Sequence, residues 1–210
     1  DSVMKTWQSL SRRMLAILLS AAMLALAAAN NAQAADDFWA HQIGVQVNVA
    51  YGEDPAQVFD LYLHGQRTGE PDYFAMDSDP RPTLIWIHGG GWIAGDKAAE
   101  IPQLIPYLER GWNVVNVNYR QGPASAPEAV DDVLCAYQRV IEIGEATGMP
   151  TDQIVVSGAS AGGHLALLVG MLNTRGEHPC RTASPPMAVV NWFGITDIEA
   201  VQEFLSETLP

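Results

Sequence analysis

The sequence predicts an α/β fold, a mostly parallel sheet with helices on both faces. Short continuous apolar runs alternate with helical patterns along the chain, and strands apolar throughout are those buried on both faces of a parallel sheet. An apolar share of 48% with 17% charged residues suits a chain of 210 residues that fills one well-packed core. One helix carries start and stop signals at both ends, which fixes the phase of the alternation.

Taken in order, "IGVQVNVAY" and "QVFDLYL" alternate apolar with polar and read as outer strands. A Gly/Pro/Asp-rich stretch, Gly65–Arg81, separates them from "TLIWIH", a compact strand that ends at three glycines. "IPQLIPYLER" is a short helix closed by Gly111, and "WNVVNVNY" is the next strand. Ser125 and Glu128 form a capping box with Pro127 in the first turn of the marked helix. Val130, Val133, Leu134, Tyr137 and Ile141 recur at helical spacing before Gly148 and Pro150 close it. "QIVVSG" is a strand, Ala161 to Leu172 a helix and "MAVVNWF" a further strand, after which "DIEAVQEFLSETLP" opens another helical pattern.

The first 34 residues stand apart from this domain, which spans 35–210. From Met4, "MKTWQSLSRR" is basic, "MLAILLSAAMLALAAA" is apolar, and Ala32-Gln33-Ala34 offers small residues for cleavage. That order predicts a secretory signal preceded by Asp1–Val3, an exported (periplasmic or secreted) protein and a mature chain starting near Ala35. "SRRML" also faintly resembles a twin-arginine export signal. The apolar stretch is short for a span of about 20 residues, so no stable membrane anchor is expected. With 24 acidic against 11 basic residues the net charge is −13, which argues against a nucleic-acid partner. Export permits a disulfide between Cys135 and Cys180, but the sequence leaves open whether they pair or stay as two buried thiols. The five histidines show no H-E-x-x-H and the cysteines no C-x-x-C, so neither a metal site nor a cofactor is expected.

Chemistry concentrates at Gly158-Ala159-Ser160-Ala161-Gly162, a G-x-S-x-G between a predicted strand and a predicted helix. In that setting a sharp turn lifts the serine Oγ clear of the sheet while the glycines let other backbone pass. The helix N-terminus beneath favours developing negative charge. "HGGGW", His88–Trp92, follows an earlier strand; glycines there let backbone N–H groups approach a reacting carbonyl, and one such donor is worth roughly 10²–10³ in rate.

"HGGGW" with Gly95-Asp96-Lys97, "NYR" (Asn118–Arg120) and "SGASAGGHLAL" (Ser157–Leu167) resemble the bacterial carboxylesterases related to hormone-sensitive lipase. The acetylxylan- and feruloyl-esterase branch is similar, as are the kynurenine formamidases. The resemblance runs from about Val47 to Asp197 and implies an α/β-hydrolase fold, with Ser160 as nucleophile and the N–H groups of Gly90, Gly91 and Ala161 as the oxyanion hole. It implies a small-molecule or polysaccharide-linked ester as substrate. Trp92 is a candidate wall of the substrate pocket, and His88 and Asp96 are expected to hold the glycine loop. His164, one helical turn after Ser160, is expected to be structural.

In such folds the acid and the histidine follow the nucleophile. Asp197 is a candidate acid, although a helix-cap role suits its place better, and His178 comes too early in the chain for the usual base. The expectation is a C-terminally truncated domain with its acid and base beyond Pro210, inactive or nearly so as an isolated chain. An amidohydrolase, or a binding protein on a hydrolase scaffold, is the alternative.

Overall fold

The computed structural model describes residues 42–67, 74–76, 80–123, 125–175 and 177–201. The predicted signal lies outside them. Among the described residues seven strands form one sheet: β1 (Gln42–Ala50), β2 (Val58–Arg67), β3 (Phe74–Met76), β4 (Thr83–Ile87), β5 (Asn113–Val117), β6 (Ile154–Ala159) and β7 (Ala188–Trp192). Their order is β1-β2-β5-β4-β6-β7, with β3 paired to β2. β2 runs antiparallel to β5, whereas β5, β4, β6 and β7 are mutually parallel, in register Leu84↔Val114, Leu84↔Val155 and Val155↔Ala188.

This is the mostly parallel sheet the apolar runs imply. All five residues of β4 and of β5 are buried, as central strands covered on both faces must be. Alternation along the strands divides the core into two layers. Ile85, Ile87, Val115, Val117 and Val156 face α2 (Ala126–Thr147) and α3 (Ala161–Leu172). Leu84, Trp86, Val114 and Val155 face Leu104 of α1 (Ile101–Leu108). β3 falls within the stretch expected to be loop, because three residues amid glycine and proline give no readable period.

The marked helix starts and stops where its signals place it, with Gly148 in the left-handed conformation at φ 82° and donating to Gly144 O. Its cap differs from the expected box. The Ser125 hydroxyl turns away from the helix toward the carbonyls of Trp92 and Gly122, at 2.9 and 2.8 Å, and makes no capping bond. The hydroxyl donates to carbonyls outside the helix, one of them Trp92 O in the glycine loop, so Ser125 fastens that loop to α2. Among the described residues no helix is long and apolar enough to cross a membrane.

Candidate active site

Ser160 occupies the turn from β6 to α3 with φ 54° and ψ −121°, a conformation that L side chains rarely adopt. Such a residue persists only where its surroundings over-determine it. They do so here. Ser160 N donates to Trp192 O at 2.9 Å, extending the β6–β7 ladder one bond past the strands, and its carbonyl accepts from His164 N at 3.1 Å inside α3. A side chain on Gly158 would meet the Gly162 backbone at 2.5 Å and Ile87 O at 2.6 Å. Gly162 packs as tightly against the carbonyls of Ile87 and His88. These glycines are absences of side chain where α3 crosses the end of β4.

The glycine loop leaves β4 beside this turn. A Cβ on Gly89 would lie 3.3 Å from the Ser160 Cβ, so the loop backbone and the nucleophile turn are in contact. Gly90, Gly91 and Trp92 follow with φ of 121°, 63° and 64°, and Gly90 O accepts from Ile93 N and Ala94 N. Among the described residues no acceptor takes the N–H of Gly90, Gly91 or Ala161. Ser160 itself is half-buried.

The loop is fastened at both ends. His88 is fully buried; its Nδ1 lies 2.7 Å from Gly89 O and its Nε2 lies 3.3 Å from Gln121 Nε2. A carbonyl can only accept, so Nδ1 carries the proton and Nε2 accepts from the amide. Burial holds the imidazole below its usual pKa, with the Gly89 bond opposing in part, and the ring stays neutral. Asp96 accepts from Ala98 N and Asn118 Nδ2, at 2.8 and 2.9 Å; these bonds, the backbone one foremost, hold its carboxyl below the usual range. Next to it Lys97 forms a buried ion pair with Asp60 at 2.9 Å. Sequence reading placed His88 and Asp96 at the loop and marked Asn118 within "NYR" without a role, but had no signal for Gln121 or Asp60.

Trp92 is half-buried against the layer under α2 and α3, its ring edge-on to His164 with centroids 5.3 Å apart. Neither Trp92 Nε1 nor His164 Nδ1 has a hydrogen-bond partner among the described residues, and burial lowers the His164 pKa. Asp197 Oδ1 accepts from Ala200 N at 2.9 Å, a bond that caps the helical turn after β7. His178 lies in the loop after α3, 3.2 Å from Asp131 Oδ1. Among the described residues no histidine side chain hydrogen-bonds the Ser160 hydroxyl. An apolar cleft of about 530 Å³ lies between Trp86, Tyr107 and Trp192 on the α1 face and is lined by neither Ser160 nor the glycine loop. The structure joins Cys135 to Cys180 in a disulfide with Cα atoms 4.8 Å apart.

A strained serine at a strand–helix turn, faced by a glycine loop with free N–H groups, is the arrangement of an α/β hydrolase. The family match decides which one: BD-FAE covers residues 73–208, well over half of the chain. The chain belongs to the BD-FAE family. Esterase LipC of Mycobacterium tuberculosis is 31% identical over 157 residues, which are 72% of this chain and 37% of LipC. A structure of esterase B from Lactobacillus rhamnosis with a tributyrin phosphonate aligns over 80% of this chain and 56% of that one, at 25% identity and a TM-score of 0.56. A bifunctional GH43-CE protein of Bacteroides eggerthii aligns over 73% and 21%, at 27% identity and a TM-score of 0.57. The chain thus spans well under two thirds of these relatives. Within the BD-FAE match fall both the glycine loop and Ser160.

Proposed function

We propose that this BD-FAE chain carries the nucleophile and the oxyanion hole of an exported serine esterase. The observation that carries the reading is Ser160: a non-glycine residue held at φ 54° and ψ −121°, against a loop in which the N–H groups of Gly90 and Gly91 have no acceptor among the described residues. Strain of about 1–3 kcal/mol is retained there, although glycine would relieve it. Only chemistry at Oγ gives a reason to keep a serine.

In the proposed reaction Ser160 Oγ attacks the ester carbonyl and a general base takes the hydroxyl proton. The carbonyl oxygen becomes an oxyanion held by the N–H groups of Gly90, Gly91 and Ala161. The alcohol leaves with a proton, and water then releases the acid from the acyl-enzyme. Neither His88 nor His164 supplies the base: the first has both ring nitrogens engaged, and the second sits on the helix behind the serine. We assign Asp197 to its helix cap, and place acid and base in residues other than those described. Neutral backbone donors, with no cationic group among them, suit an ester whose charge appears only in the transition state. The Cys135–Cys180 bridge supports export, since disulfides persist in oxidising compartments.

A fluorophosphonate probe tests the reading on the whole protein that contains this chain. Labelling at Ser160 that disappears in Ser160→Ala is expected. A folded protein that takes no label, and binds an ester without turnover, would establish the scaffold as a binding module.

A further inference from the structure

Cys135 on α2 and Cys180 in the loop after α3 are 45 residues apart in sequence, and a third donor stands beside them. The two sulfurs and one ring nitrogen of His178 all lie within 4.8 Å of one another, half-buried and within reach of solvent. His178 Nδ1 accepts from Cys180 N at 3.1 Å, so the neutral ring carries its proton on Nε2, 3.2 Å from Asp131 Oδ1. The lone pair is turned to the Cys180 backbone and the N–H to a carboxylate. A metal-ligating histidine is oriented in this way by the carboxylate behind it.

The loop keeps this shape by bonds that do not involve sulfur. Asn173 Nδ2 and Tyr137 Oη both donate to Ser184 O, at 2.9 and 3.0 Å. Thr182 N donates to Asn173 O at 3.2 Å, and Arg181 N to His178 O at 3.1 Å. Opening the bridge therefore leaves both thiols facing His178.

We propose that Cys135, His178 and Cys180 form, in the dithiol state, a binding site for a thiophilic divalent cation such as zinc, with Asp131 orienting the imidazole. The site and the disulfide exclude each other. A dithiol reductant supplies two electrons and two protons; the S–S bond breaks to two thiols and the reductant is left as a disulfide. The cation then displaces both thiol protons to water. Two Sγ–metal bonds form, Nδ1 exchanges the Cys180 N–H for the metal, and a water takes the fourth position. Thiolate with imidazole selects zinc or its analogues over magnesium and calcium. Tetrahedral zinc needs the sulfurs about 3.8 Å apart, from bonds of about 2.3 Å, so the two sulfurs, bonded to each other in the bridge, must move apart as it opens.

The test is a cobalt(II) titration of the chain after reduction with a phosphine, with zinc as competitor. Thiolate-to-cobalt charge-transfer absorption that saturates at one equivalent, is bleached by zinc and is absent from the oxidised chain is expected. His178→Ala should weaken binding by at least ~10-fold, and Asp131→Asn by about 10-fold. Absence of saturable absorption, or a titration unchanged in His178→Ala, overturns the site; an unchanged Asp131→Asn overturns the orienting role. If reduction unfolds the chain, one equivalent of zinc should restore its helical signal in the parent and not in His178→Ala. Failure to restore it counts against the proposal equally.

Discussion

The imidazole of His88 lies flat on the ring of Tyr119, with 4.3 Å between centroids and 15° between planes, and Tyr119 Oη donates to the His88 carbonyl at 3.1 Å. The first residue of the glycine loop is thus held from its side chain and its backbone by one tyrosine. His88→Ala removes the stack and leaves Gly89 O and Gln121 without their partner. A loss of about 3 kcal/mol is expected from an unsatisfied buried group plus a cavity, read as a fall in the urea midpoint.

Burial holds the folded pKa of His88 below the ordinary imidazole value of 6.5, which keeps the ring neutral. Below that pH the unfolded chain binds a proton that the folded chain refuses, so stability falls as pH drops through 6.5. Asp96, with its carboxyl held low, adds a loss in the same direction at lower pH, as the folded group is protonated. His88→Gln should flatten the upper part of this profile and leave the lower part. Urea midpoints that fall as steeply below 6.5 in the variant would refute the neutral ring.

Ser160→Gly separates conformation from chemistry. Relief of the positive φ should raise stability by about 1 kcal/mol, while fluorophosphonate labelling disappears. A variant less stable than the parent would show that the turn is not strained.

The fold was legible because its strands are apolar on both faces and its helices are punctuated; Gly148 and the Ser160 turn could be located to the residue. The seat of Ser125 was not, because the competing acceptor, Trp92 O, lies 33 positions away in sequence. The same limit hid the third donor beside the cysteines. Motif spacing finds ligands carried by one short segment, whereas His178 meets Cys135 only because α2 and the loop after α3 pack together. Ser160 and its glycines were readable because they are contiguous.

Glycines that make room differ from glycines that supply a conformation. Gly162→Ala would drive a methyl into the carbonyls of Ile87 and His88, at a cost of about 3 kcal/mol. Gly148→Ala meets no atom within 4 Å and should lose only about 1 kcal/mol for its left-handed φ. Thermal midpoints of the two variants, side by side, read the difference.

The bridge closes a loop of 45 residues, for which loop-closure entropy gives about 4 kcal/mol. Cys135→Ser with Cys180→Ser should lower the denaturation midpoint accordingly. Equal midpoints for the bridged and bridgeless chains would show that the loop's own hydrogen bonds suffice.

The bond from Ser160 N to Trp192 O ties Ser160 to β7, an edge strand among the described residues. β7 has a neighbour on one side only in this sheet order, and its Val190 and Trp192 are exposed. The sheet's margin therefore helps to fix the backbone on which the strained serine sits.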